Sequence, residues 1–255
     1  MNSAKYVSGI KFDNALEDGS YLNKLPLIKY LSRNPQLSFS SAVTFFVGEN
    51  GTGKSTLLEA IAVAYGFNAE GGSKNFRFST NATHSELCEH ISISKTGYAD
   101  DGFFLRAESL YNVATNIDRM DSEKYEFLFP AKVIESFGGT SLHEQSHGES
   151  FLSIVQNRFY GNGLYLLDEP EAALSPTRLL TLMVEINELV KNDSQFIIAT
   201  HSPLLLTFPN AQILEFSQNG IESVNYRDTE HFKITKQFLD NPERMLHYLL
   251  NRDSV

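Results

Sequence analysis

The stretch Val43 to Thr56, VTFFVGENGTGKST, constrains this 255-residue chain more than any other. Gly48, Gly51, Gly53, Lys54 and Ser55 satisfy G-x-x-x-x-G-K-[ST], a pattern whose backbone amides cradle the phosphates of a nucleoside triphosphate. The apolar, β-branched and aromatic run Val43 to Val47 reads as a strand, and STLLEAIAVAY, Ser55 to Tyr65, reads as a helix stopped by Gly66. Strand, glycine loop and helix in that order set a helix N-terminus, worth about half a positive charge, against the phosphates. Glycines allow the backbone to turn its N–H groups inward. The loop Gly48-Glu49-Asn50-Gly51-Thr52-Gly53-Lys54-Ser55-Thr56 is therefore expected to hold nucleotide, with Lys54 on the β- and γ-phosphates and the Ser55 hydroxyl on Mg²⁺.

Composition narrows the surroundings of that motif. With 42% hydrophobic and 20% charged residues the chain is ordinary for a globular protein, and its length allows a single large α/β domain over 1–255. The longest apolar runs, such as Ala42 to Val47 and Ala60 to Tyr65, fall well short of the ~18–20 residues of a membrane span. The N-terminal stretch lacks the apolar core of a signal peptide, and the lone Cys88 has no internal disulfide partner, so a cytoplasmic protein is expected. The formal net charge is −10, and Arg77, Arg106, Arg119 and Arg158 are scattered, so charge gives autonomous nucleic-acid binding no support.

Along the chain, Tyr6 to Phe12 reads as a strand, followed by a polar turn and an apolar patch around Leu25 to Leu31, a lead-in expected to add strands beside the P-loop strand. Tyr6, Phe12 and Tyr21 could each stack on a base, but aromatics in strands are mostly core, and none is assigned. Asn68 to Thr83 reads as a loop, Phe103 to Leu105 as a strand, Asp118 to Glu126 as helical, and Phe127 to Val133 as apolar. The region of about 68–150 is expected to be an inserted subdomain. In the second half come a helix (Ser150 to Tyr160), a strand (Leu164 to Leu167), a helix (Pro176 to Lys191), a strand (Gln195 to Thr200), a hairpin about Asn219-Gly220 and a final helix (Pro242 to Asn251). This alternation predicts an α/β fold with a mainly parallel core sheet and flanking helices.

Asp168-Glu169-Pro170-Glu171 follows the Leu164 strand directly. An acidic pair at the C-terminal end of an apolar strand looks like a Walker B element, with Asp168 holding Mg²⁺ through water and Glu169 polarising the attacking water. Thr200-His201-Ser202-Pro203 ends the next strand. An isolated histidine there is ordinarily structural; one strand beyond the acidic pair, His201 is expected to sense the γ-phosphate.

These residues carry a family resemblance. GENGTGKST, SHGES (Ser146 to Ser150), LYLLDEPEAALSP (Leu164 to Pro176) and IIATHSP (Ile197 to Pro203) resemble, in order, the Walker A, signature, Walker B plus D-loop and switch-histidine motifs of ABC-type ATPases. The arrangement is most similar to the soluble branch containing SMC and RecF-like proteins. FFLRAESLYN, SLHEQSHGES and DEPEAALSP look like a small stand-alone bacterial family of predicted ABC-type ATPases. The resemblance spans nearly the whole chain. It implies a P-loop NTPase fold of ABC type with an N-terminal antiparallel β portion and an inserted signature lobe, ATP and Mg²⁺ as cofactors, and an ATP-dependent homodimer. In that dimer Ser146 and Gly148 of one protomer would touch the γ-phosphate held by Lys54 of the other, with Ser175 as a further cross-dimer contact. SHGES differs from the usual S-G-G-[QE] by placing His147 at the first glycine. The segment Phe104 to Asn112 lacks the Q-loop glutamine, which makes Glu108 the candidate metal ligand at that place. The spacing from Lys54 to Asp168 holds a signature lobe but no SMC-type coiled-coil arm. The implied function is ATP hydrolysis that switches an open and a closed state for an unknown protein partner. A nucleotide-gated binding module with negligible hydrolysis is the alternative, and a transporter ATPase subunit a third; DNA repair and antiphage defence enter by analogy alone.

Overall fold

The structure, a computed structural model, describes residues 6–73, 85–122 and 132–250. Parts of the loop expected over 68–83, of the helix expected over 118–126 and of the apolar run 127–133 lie outside the described residues, as does residue 251 of the last expected helix.

The chain opens with β1 (Val7–Phe12), passes through α1 (Pro26–Leu31) and returns in β2 (Gln36–Ser38). β3 (Val43–Gly48) feeds the glycine loop and α2 (Lys54–Tyr65), which ends at Gly66 in the left-handed region. β4 (Ile91–Lys95) and β5 (Asp101–Arg106) lead to α3 (Leu110–Ser122) and α4 (His147–Arg158). β6 (Gly163–Asp168), the one-turn α5 (Pro170–Ala173), α6 (Pro176–Lys191) and β7 (Gln195–Ala199) follow. A hairpin of β8 (Gln212–Ser217) and β9 (Gly220–Val224) then gives way to α7 (Glu230–Asp240) and α8 (Pro242–Leu250).

Six strands form the core sheet in the order β5-β6-β7-β3-β8-β9, all parallel except β9. Every residue of β3, β6 and β7 is buried, as expected of strands covered on both faces. Alternation within each strand sends neighbours to opposite sides. Phe46, Leu166 and Ile197 join the core under α2, whereas Phe45, Tyr165 and Ile198 join the core shared with α3, α4 and α6.

The lead-in strands do not flank the P-loop strand; β7 and β8 do. β1 pairs instead with β2 and β4 in a separate three-stranded antiparallel sheet. The reason lies in its pattern, since β1 exposes Lys11 and half-exposes Ser8, which a central strand of the parallel sheet cannot do. Beside the apolar core shared by the two sheets, a buried side chain docks this one: Gln195, at the start of β7, accepts from the N–H groups of Tyr6 (2.6 Å) and Val7 (2.9 Å) through Oε1 and donates from Nε2 to the Val7 carbonyl (2.8 Å). The stretch 68–150 contributes β4 to this sheet and β5 to the edge of the core sheet, before α3 and α4 cover the opposite face.

Candidate functional site

Parallel register brings the site together. Arg106, Asp168 and Ala199 stand side by side at the C-terminal ends of β5, β6 and β7, and Phe46 of β3 pairs with Ala199. Ligands of open α/β sheets bind at such strand ends. Beyond them the chain delivers the glycine loop, Glu169 and His201.

Gly48 sits at φ +143°, and a Cβ there would lie 2.1 Å from the carbonyl oxygen of Phe216, so only glycine lets β3 turn out beside β8. Gly53, at φ +106°, starts α2 against Leu27 of α1. Glu49, Asn50 and Gly51 form the exposed crest of the loop, Thr52 and Gly53 are buried beneath it, and Thr56 is half-buried on the first turn of α2. The Thr52 hydroxyl closes the loop by donating to the Glu49 carbonyl at 2.8 Å. Lys54 is buried and folds back, Nζ donating to the carbonyls of Gly48 (2.6 Å) and Glu49 (2.9 Å). Burial pushes its pKa down, opposed by the charges of Glu169, Asp168, Glu171 and Glu49.

The Ser55 hydroxyl donates to Asp168 Oδ1 at 2.9 Å. Asp168 Oδ2 lies 3.2 Å from Arg106 Nε, and Arg106 Nη1 bonds Glu59 Oε2 at 2.6 Å. The Nε contact is an ion pair out of hydrogen-bond alignment, since buried Nε has no hydrogen-bond partner. Burial lifts the Asp168 carboxyl to about 6, against the pull of Arg106 and the Ser55 hydroxyl. Glu108 is exposed in the turn between β5 and α3, and its charge adds to that upward shift. A hydroxyl and carboxylate in contact, beside a lysine, suit Mg²⁺, which keeps several waters and takes one or two protein oxygens plus phosphate. Among the described residues no three His, Cys, Asp or Glu side chains cluster as a metal cage, and Mg²⁺ held in this way needs none.

Glu169 occupies the left-handed region (φ 49°, ψ 54°), a strained conformation for a non-glycine residue, and its N–H is held by the Ala199 carbonyl at 2.9 Å. Its Oε1 stands 3.6 Å from His201 Nε2, too far for a hydrogen bond. His201 is set by Glu171, whose half-buried carboxylate accepts from the His201 N–H and from the Thr200 hydroxyl. Glu171 was visible in the sequence as part of the acidic tetrapeptide, yet nothing there indicated this positioning. His201 Nδ1 meets His231 Nε2 of α7 at 3.0 Å, a partner that sequence gave no means of finding across 30 positions. Burial, Lys54 and His231 together hold the His201 imidazole down at about 4, so it is neutral.

Ser146, Gly148 and Ser175 gather at a second place. The N–H and hydroxyl of Ser146 both donate to Glu149 Oε2 (3.0 and 2.6 Å) at the N-terminus of α4. Arg178 donates from Nη1 to Ser146 Oγ (3.2 Å) and from Nη2 to Glu149 Oε1 (3.0 Å), while its N–H bonds the Ser175 hydroxyl (3.4 Å). Gly148 is required locally, because a Cβ would lie 2.5 Å from Arg178 Nη1 and 2.9 Å from the Ala173 carbonyl oxygen. His147 is exposed. Among the described residues no hydrogen bond or ion pair joins this group to the glycine loop of the same chain. Of the aromatics considered for the base, Tyr6 and Phe12 are core, and Tyr21 is exposed. No helix among the described residues is long and apolar enough to cross a membrane.

A family model described as "AAA domain" matches residues 27–130, and one described as "AAA domain, putative AbiEii toxin, Type IV TA system" matches residues 140–207. The chain is 24% identical over 233 residues to the tungstate uptake system ATP-binding protein TupC of Campylobacter jejuni, spanning 81% of this chain and 67% of that protein. Among solved structures it is similar to cbiO1 of Clostridium perfringens, part of the ABC transporter complex cbiONQ, at 16% identity and a TM-score of 0.48 over 96% of this chain and 98% of that one. It is also similar to the SMC head domain of Thermotoga maritima, at 17% identity and a TM-score of 0.39 over 74% and 92%.

Proposed function

The chain is an ABC-type ATPase in sequence, and from that premise we propose that it binds ATP with Mg²⁺ in the Gly48–Thr56 loop, hydrolyses it in a two-copy sandwich, and switches between open and closed states for a protein partner. The observation that carries the reading is the contact of Ser55 Oγ with Asp168 Oδ1 at 2.9 Å, with Lys54, Glu169 and His201 delivered to the same strand ends. Bound Mg²⁺ supplies neutralising charge to the phosphate oxygens. Ser55 and Asp168 would hold it, with Glu108 a further candidate ligand. Lys54 leaves the two loop carbonyls for the phosphates, Glu169 orients the water, and His201 faces the γ-phosphate. Ser146, Gly148 and Ser175, grouped apart from their own chain's loop and with both serines exposed, serve the nucleotide of a second copy.

Two measurements test this together. The Glu169→Gln protein is expected to double its solution mass on adding Mg-ATP and to release phosphate about 10²–10⁴-fold more slowly than the unaltered protein, the usual worth of a positioned base. A mass unmoved by Mg-ATP overturns the ATP-driven pairing, and full turnover by Ser146→Arg overturns the action of the signature in trans. A nucleotide-gated clamp with negligible hydrolysis is the second reading, favoured by Arg106 pairing with the Oδ2 oxygen of Asp168, a cation already set beside the carboxylate proposed for the metal; absence of phosphate release from the unaltered protein selects it. The sequence relation to an uptake-system ATP-binding protein supports a third, a transporter's ATPase subunit, which co-purification with a membrane protein would select.

A further inference from the structure

His231 has no counterpart among the motifs, yet it is built into the site. It lies on the first turn of α7, whose N-cap Thr229 is fully buried, its hydroxyl accepting from the Phe232 N–H. Tyr226 packs edge-on against Phe232 at 5.2 Å, and the Glu230 N–H reaches Glu215 of β8. The helix start is thus anchored to the core-sheet hairpin, which brings His231 Nε2 to 3.0 Å from His201 Nδ1 with the rings tilted by 53°.

A contact between two neutral imidazoles takes one donor and one acceptor, and the far nitrogen of each ring is then determined. Were His201 to donate from Nδ1, its bare Nε2 lone pair would face the Glu169 carboxylate at 3.6 Å, a repulsive arrangement. If His231 donates from Nε2, His201 carries its proton on Nε2, on the side of that carboxylate. His201 Nε2 and His231 Nδ1 are both buried and lack a hydrogen-bond partner, which leaves the first free to donate to a ligand. We propose that His231 is the positioning residue of this site: its Nε2–H locks His201 as the Nε2–H tautomer, so that the switch histidine presents a donor, never a lone pair, to the γ-phosphate. Burial and the nearby Lys54 ammonium push both imidazoles below the usual histidine range, against the carboxylates of Glu215, Glu230 and Glu49 facing His231. The assignment to a γ-phosphate rests on the proposed hydrolysis; the tautomer itself does not.

The test begins with the nucleotide-free protein labelled with ¹⁵N in its imidazoles, where long-range ¹H–¹⁵N correlations report which nitrogen of His201 is protonated. The unaltered protein is expected to show Nε2–H alone, and His231→Leu a mixture of tautomers. His231→Gln, whose side-chain amide retains a donor, is expected to restore the single form. In turnover, His231→Leu is expected to lower kcat on the order of 10-fold, as loss of an orienting partner does, with KM for ATP changed less than about twofold, and His231→Gln to recover most of it. A His201 protonated on Nδ1, or a single Nε2–H form persisting in His231→Leu, overturns the proposal whether or not ATP is hydrolysed. An unaltered protein with the Nε2–H form but no phosphate release upholds the tautomer lock and overturns the hydrolysis reading alone.

Discussion

Gln195→Leu tests how the two sheets are joined. Gln195 is fully buried, and its Oε1 is the acceptor for the N–H groups of Tyr6 and Val7. Leucine fills a similar volume but strands both donors where water does not reach, and each unmade bond costs about 1–3 kcal/mol. The gain of an apolar side chain returns about 1 kcal/mol of that, so a net loss of about 3 kcal/mol is expected. For a chain of this size each kcal/mol moves Tm by about 2–4 °C, which puts the fall at about 6–12 °C in a thermal melt. Gln195 begins β7 and the site lies at its other end, about 13 Å away at the usual strand rise, so nucleotide affinity of the folded variant is expected within twofold of the original. A Tm lowered by less than about 2 °C would refute the reasoning, because the apolar core and the remaining bonds from Tyr6 to Asp193 and from Gln212 to Ser38 would then suffice to hold the antiparallel sheet in place.

Gly48→Ala is expected to cost at least about 2 kcal/mol and to abolish nucleotide binding, because the new Cβ falls 2.1 Å from the Phe216 carbonyl oxygen in a backbone region closed to alanine; urea unfolding and nucleotide titration measure the two effects. Arg106→Met removes the cation shared by Asp168 and Glu59, so the Mg²⁺-free protein is expected to lose about 1–3 kcal/mol. Mg-ATP should return more of that stability to the variant than it adds to the unaltered protein, since Mg²⁺ replaces the missing charge at Asp168; paired melts with and without Mg-ATP decide it. Burial lifts Asp168 to about 6, which makes it neutral below that pH and a carboxylate above it. In the proposed role Asp168 must be a carboxylate to hold metal, so the apparent Mg²⁺ affinity is expected to hold above pH 6 and to weaken towards tenfold per unit below it, as calorimetric titration at pH 5, 6 and 7 would show.

What could be read from the residues alone divides by what fixes each residue's role. Gly48, Lys54, Ser55, Asp168 and Glu169 owe their positions to local backbone events, a strand end or a glycine turn, and those events leave a contiguous imprint in the chain. β3, β6 and β7 were likewise readable, because a strand buried on both faces is apolar throughout. α7 was not, although its residues are amphipathic, because none of them is fully buried and no core contact fixes where the helix lies. The placement of β1 beside β4 depended on a long-range choice between partners, which its half-exposed pattern resolves only once both sheets are in view. Arg106, Arg178 and His231 fall in the same class: each acts through a group that the fold brings near, Asp168, Glu149 and His201 respectively. The division has a functional edge. The locally encoded residues are those that the motifs assign to nucleotide, whereas those visible only after folding set the charge, orientation or tautomer of their neighbours. Substituting the second group should therefore leave the motifs intact and alter how well they work, which motif matching alone would not foresee.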